Sequence, residues 1–228
     1  MGLKWKSAVL TAIAIAALSG AAGQAQTGAN SQAQASSTRR APANLSDSQF
    51  DIGGSFYEAL NDSSTGNGTQ QTTTNSQGGM VEARYIYSSL IGFEMTYGYN
   101  PANQTFTPAT GNCGYACANP KTALTAHASE VGMDWVFSKR FGNIRPFAVA
   151  GLGFFITSPS RSTYEVNTVV RGTFIGGGGV DVGLSQHFGV RAQVRDNVYK
   201  APNLSAFYPA TGQYTHTIEP GAGVYYRF

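Results

Sequence analysis

Charged residues are scarce in this chain: Asp, Glu, Lys and Arg make up 12% of its 228 residues, and the net charge is only +3. No basic cluster is present, which removes the electrostatic footprint of a nucleic-acid binder. No apolar run reaches the ~18 residues that a membrane-spanning helix requires. Cysteine is limited to Cys113 and Cys117, and no further Cys or His lies beside them, too few ligands for a metal site. No Cys follows the N-terminal segment in the position a lipid anchor would need. Gly176 to Gly179 is followed by no Gly-Lys-Ser/Thr and opens no helix, so the run is structural and not a phosphate loop.

What is abundant points elsewhere. The chain has 28 glycines, 12 tyrosines and 13 phenylalanines, the profile of an all-β protein with glycine-relieved curvature and aromatic girdles. Residues 1–25 read as a secretory signal: Lys4 and Lys6 precede a short apolar core, Ala8 to Leu18, and a small-residue stretch ends at Gly23-Gln24-Ala25. Residues 26–48 hold almost no large apolar side chain, cannot bury enough surface to order themselves, and read as a flexible leader.

From Phe50 onward the chain alternates. Strands are expected at about 49–59, 79–87, 91–99, 124–137, 146–156, 169–184 and 188–199, and an eighth ends the chain. In the first, Phe50, Ile52 and Phe56 share one face and Asp51, Gly53, Ser55 and Tyr57 the other. In the last, Ala222, Val224, Tyr226 and Phe228 oppose Gly221, Gly223, Tyr225 and Arg227. For 146–156, Leu152, Phe154 and Ile156 are the favoured outward set. Long polar connections (Asn61 to Gly79, Asn100 to Thr122, 158–168 and 200–213) alternate with short ones. A three-residue turn at Ser88-Ser89-Leu90 pairs Tyr85 with Phe93 and sets Arg84 opposite Glu94; a turn at Ser185-Gln186-His187 sets Asp181 opposite Arg191. An even strand count with alternating long and short connections is the pattern of an eight-stranded antiparallel up-and-down transmembrane β-barrel.

The closing strand with its terminal aromatic, Tyr226 and Phe228 above all, resembles that of the small OmpA-type outer-membrane β-barrel family. The resemblance covers about Gln49 to Phe228 and implies a bacterial outer-membrane location with both termini periplasmic. It also implies a monomer among lipid and lipopolysaccharide, recognition of Tyr226 and Phe228 by the barrel-assembly machinery, and no cofactor. Full-length members carry a peptidoglycan-binding domain after the barrel; the chain stops at Phe228, so that tethering role is not expected.

Several residues could carry chemistry. Asp51, Glu82, Glu94, Glu130, Asp134, Asp181 and Glu219 share the inward parity with Arg84, Arg191, Arg195 and Arg227. An eight-stranded barrel is just wide enough for side chains to fill it, so a network built on Arg84, Glu94, Glu130, Asp134, Asp181, Arg191 and Arg195 is expected in its lumen. A narrow porin-like path for ions or small solutes is the alternative, and the excess of acids would make it cation-leaning. In an oxidising compartment Cys113 and Cys117 are expected to form a disulfide. His127 and Ser129 share a face and are similar to the His-x-Ser of outer-membrane lipid A deacylases, but Glu130 follows where that family has Asn, and an enzyme is not expected. Tyr85, Tyr97, Tyr99, Trp135, Tyr199, Tyr225 and Tyr226 are assigned to the girdles. The expected role is structural and surface-exposed, with extracellular ligands contacting the four long loops.

Overall fold

The structure, a computed structural model, describes residues 49–109, 122–160 and 167–228. The signal segment, the leader and both cysteines, with their expected disulfide, lie outside the described residues. Twelve strands are present among the described residues: β1 (Gln49–Asn61), β2 (Ser64–Gly66), β3 (Thr69–Thr73), β4 (Ser76–Ile86), β5 (Ile91–Pro101), β6 (Gln104–Pro108), β7 (Thr122–Leu124), β8 (Ala126–Ser138), β9 (Ile144–Pro159), β10 (Val169–Gly183), β11 (Phe188–Lys200) and β12 (Tyr214–Arg227). Eight of them close into an antiparallel barrel in the order β1-β12-β11-β10-β9-β8-β5-β4. The other four form a separate sheet in the order β2-β3-β6-β7.

The two-residue period of the sequence decides which side chains fill the barrel. On β1, burial alternates from Gln49 to Ala59: Asp51, Ser55 and Tyr57 are inside, and Phe50, Ile52 and Phe56 are outside. Closure joins β1 to β12 in a register that runs from Asp51↔Arg227 to Asn61↔Thr217. The Phe228 amide adds a final bond to the Phe50 carbonyl at 3.0 Å. Turn parity sets the other registers: Tyr85 faces Phe93, Arg84 faces Glu94, and Asp181 faces Arg191. In β9, Leu152 and Phe154 point outward while Phe147, Val149 and Phe155 point inward. This strand begins at Ile144, before the expected 146, and the two added residues bring Arg145 inside the barrel.

Two tyrosines assigned to the girdles are inside instead. Tyr199 and Tyr225 are both 2% exposed. Each sits at an odd, inward position of its strand, and that parity overrides the preference of tyrosine for a membrane rim. Tyr199 stacks on Phe155 with ring centroids 4.1 Å apart.

The long polar connections hold the extra sheet, a difference from the expectation of plain loops. It is the barrel wall drawn out beyond its rim. Ser64↔Gln71 keeps the register of β1 with β4, and Gln104↔Leu124 keeps that of β5 with β8. The β3–β6 ladder continues β4–β5 with a slip of one residue. Partners are therefore already aligned where the chain leaves the barrel, and the threonine-rich segments need only their β-branched preference for extended backbone. Asn67 and Gly68, at φ 50° and 74°, form the tight turn between β2 and β3, the geometry of a type I′ hairpin. Residues 201–213 fold against this sheet. Gln71 Nε2 donates to the Pro202 carbonyl at 2.7 Å, Asn67 Nδ2 donates to that of Ala210 at 2.8 Å, and Tyr208 stacks on Phe106. Phe106, Leu204 and Tyr208 form a small buried core for this cap.

Closure allows little room at its seam. A Cβ at Gly223 would collide with the Gly54 carbonyl and Ser55 across the β1–β12 ladder, whereas one at Gly172 meets nothing within 4 Å. Gly223→Val is expected to destabilise the folded barrel by about 2 kcal/mol or more, while Gly172→Val leaves it unchanged. Urea midpoints of the two refolded variants check this.

Candidate functional site

The inward side chains form successive layers along the barrel axis. Arg191 anchors the central one. Its Nε donates to Asp181 Oδ1 at 2.7 Å, Nη1 to Glu82 Oε2 at 2.5 Å, and Nη2 to Asp51 Oδ1 at 3.1 Å. One guanidinium on β11 thereby ties together β10, β4 and β1. Arg84 donates through Nε to Glu94 Oε2 at 2.6 Å and through Nη1 to Asp181 Oδ2 at 3.1 Å. Arg195 donates through Nη1 to Glu94 Oε1 at 2.9 Å and through Nη2 to Asp134 Oδ2 at 2.5 Å. All eight charged side chains are buried. The planar fork of arginine suits this task, because each guanidinium bridges several carboxylates at fixed angles. Phe147 closes one flank, with the Arg84 guanidinium 4.0 Å above its ring.

Of the residues expected in the lumen network, Arg84, Glu94, Asp134, Asp181, Arg191 and Arg195 form one connected cluster, which Asp51 and Glu82 complete. Glu130 stands apart, one layer toward the cap. Its Oε2 accepts from Asn197 Nδ2 at 2.6 Å, and its Oε1 has no hydrogen-bond partner. Glu219 lies beside Asn197 and Glu130, is 1% exposed, and forms no ion pair with the described residues. Neutral members were not singled out from the sequence. Gln193 and Ser55 both donate to Glu82, and Gln49 Nε2 donates to Asp51 at 3.1 Å. Inward parity alone was their signal.

His127 and Ser129 are on one outward face but not in contact as a pair. The His127 Nδ1 lies 3.4 Å from Ser160 Oγ and its ring rests on Tyr99. Ser129 sits opposite Tyr99 and Ile156. The His127 ring is engaged by Ser160 and Tyr99, and no hydrogen bond joins it to Ser129. His216 Nδ1 is 3.2 Å from the Asp196 carboxylate, on the outer surface. Tyr226 and Phe228 are outward, their rings edge to face at 5.0 Å, and Phe228 also contacts Phe50.

No protein-family model matches the chain, and no curated protein matches it either. Solved structures do. The outer membrane protein OprG from Pseudomonas aeruginosa superposes with a TM-score of 0.56 at 14% identity, covering 81% of this chain and 97% of OprG. Neisserial surface protein A (NspA) gives a TM-score of 0.53 at 10% identity, covering 79% of this chain and 97% of NspA. The shared feature is the fold: this chain has the architecture of the small eight-stranded outer-membrane barrels.

The lumen carries opposite expectations for two neighbouring layers. Arg195→Met strands the Asp134 carboxylate and is expected to cost about 3–5 kcal/mol. Glu219→Gln replaces a buried carboxylate that has no ion pair with an amide and is expected to leave stability unchanged or raise it. Unfolding midpoints in urea, measured for both variants beside the parent, decide the matter.

Proposed function

We propose that this protein is an outer-membrane β-barrel with a structural and surface-exposed role. In this reading the short turns and both chain termini face the periplasm, and the cap of residues 64–73, 104–108, 122–124 and 201–213 is displayed outside the cell. The observation that carries the reading is the combination of a lumen filled by paired charges with a folded cap over one end. Such a barrel contributes to envelope integrity, and its contacts with the environment are made by the cap.

The outer wall supports a lipid environment. Ile52, Phe56, Val81, Met95, Met133, Leu152, Phe154, Phe174 and Val224 are all exposed around the barrel, an apolar belt that water would not tolerate on a monomer. Tyr85, Trp135, Tyr226 and Phe228 are exposed toward the short-turn end, where aromatic side chains suit a membrane interface. The partners on this reading are outer-membrane lipid and lipopolysaccharide, the assembly machinery during insertion, and extracellular ligands of the cap. OprG and NspA bear names that describe an outer-membrane protein and a surface protein, in keeping with it. The acids Glu130 and Glu219 favour a cation-selective path as the second reading. The His127 ring turned toward Ser160 gives no support to acyl transfer.

Two measurements test the proposal. In planar bilayers the refolded protein is expected to show no steady conductance, alone or with Arg84→Gln and Glu94→Gln combined; a steady cation-selective current altered by those substitutions would put the channel first. On intact cells, Asn67→Cys is expected to react with a membrane-impermeant maleimide and Ser89→Cys to stay unlabelled; the reverse pattern would sink the orientation.

A further inference from the structure

The layer at the short-turn end holds two buried arginines that form no ion pair with the described residues. Arg145 on β9 and Arg227 on β12 are both inward, 6% and 7% exposed. Each lies directly across from a carboxylate: Arg145 faces Asp181 and Arg227 faces Asp51. Those carboxylates are already engaged from the layer above. Asp181 accepts from Arg191 through Oδ1 and from Arg84 through Oδ2, and Asp51 accepts from Arg191 through Oδ1 and from Gln49 through Oδ2. Neither Arg145 nor Arg227 forms an ion pair with the described residues. Arg227 donates to the Tyr225 hydroxyl at 3.1 Å, a neutral acceptor.

Three buried polar atoms at this end have no hydrogen-bond partner: Arg145 Nη1, Arg227 Nε and Ser138 Oγ. Like charge is concentrated here as well. The charges acting on Arg145 are the repelling Arg140 and Arg227 and the attracting Asp181 and Asp51, and Arg140 reaches the Gln49 side chain at 3.3 Å. Both arginines thus lack an ion pair of their own, although each faces a carboxylate of the layer above, and both face the same lumen. A shallow groove at the same end is lined by Leu90, Phe137, Ser138, Lys139, Pro146 and Phe147, and Ser138 belongs to it.

We propose that the short-turn mouth of the barrel is an oxyanion site, in which Arg145, Arg227 and Ser138 bind a phosphate group. Two guanidinium charges and a hydroxyl match the charge and tetrahedral donor demand of a phosphate better than those of a single carboxylate. The phosphate has two sources with one chemistry: a soluble phosphate entering the mouth, or a phospholipid headgroup entering beside Ser138 with its acyl chains along Leu90 and Phe137. The site goes beyond the structural role proposed above. Only the compartment it faces rests on that reading, and binding measured on purified protein is independent of it.

The test uses the refolded protein in phosphate-free maltoside micelles. One titration adds inorganic phosphate, and the other adds short-chain phosphatidylglycerol. Calorimetry and the side-chain Nε–H resonances of Arg145 and Arg227 report binding. A saturable response to phosphate, weakened at least tenfold by Arg145→Gln and by Arg227→Gln but unchanged by Lys200→Gln, supports the site with a soluble source. The same pattern with phosphatidylglycerol alone supports it with a headgroup as the source. Arg145→Gln removes an unpaired buried charge, so it is expected to fold at least as readily as the parent without phosphate and to gain less thermal stability when phosphate is added. No saturable response to either probe, or an Arg145→Gln protein that binds as the parent does, overturns the proposal.

Discussion

Closure of the β1–β12 ladder is the constraint from which the remaining features follow. An open sheet edge presents unpaired backbone groups, and in hydrocarbon each would cost several kcal/mol. The seam pairs residues from Asp51↔Arg227 to Asn61↔Thr217, so every barrel strand has two neighbours. With eight strands, closure also fixes how much room is left inside. Gly53, Gly221 and Gly223 sit at the seam where the opposite backbone or Tyr57 and Tyr225 come close. The glycine-rich composition is in this sense a consequence of closing so small a barrel on itself.

A narrow lumen must be filled, and because the outward parity is taken by apolar residues, the filling is polar. Buried charge then has to be neutralised locally, since in a low-dielectric interior an imbalance is not screened by salt. In the central layer five carboxylates share three guanidiniums, and each guanidinium touches at least two of them. The surplus is not spread evenly along the axis. Unmatched acids, Glu130 and Glu219, lie toward the cap, and unmatched cations, Arg145 and Arg227, lie at the other end. Arg145 and Arg227 stand across from Asp181 and Asp51 of the central layer, whose carboxylates are already hydrogen-bonded to Arg191, Arg84 and Gln49. The middle of the lumen is therefore filled by strong pairs, with Glu130 and Glu219 on its cap side and Arg145 and Arg227 at the other end.

Alternation made the barrel legible. A period of two, the parity of three-residue turns and a long-short rhythm of connections were enough to place Arg84 against Glu94 and Asp181 against Arg191. What parity could not supply was the third dimension. Which arginine bridges which carboxylate across the lumen depends on strands distant in sequence, as in Arg191 with Glu82 and Asp51. Arg145 was hidden because its strand was expected to begin at residue 146. Tyr199 and Tyr225 were assigned by residue type when their position already turned them inward. The cap was hidden because its strands are polar on both faces and show no hydrophobic alternation, yet Asn67-Gly68 is a strong hairpin signal and stood in the open.

The cap also changes what the long connections mean. A loop that merely links strands adopts many conformations and must order itself on contact. Here β2 with β3, and β6 with β7, carry the barrel's own registers outward, and residues 201–213 lock onto them through Ser64 with Thr211 and Gln71 with Pro202. Rigidity is inherited from the wall below. Phe106, Leu204 and Tyr208 are hidden in the cap's interior and unavailable to a partner. Most of what the described cap residues leave on its surface is polar, with Phe207 exposed among them. The threonine, asparagine and glutamine content of these segments suits an extended strand whose side chains hydrogen-bond to neighbouring backbone, as Asn67 and Gln71 do.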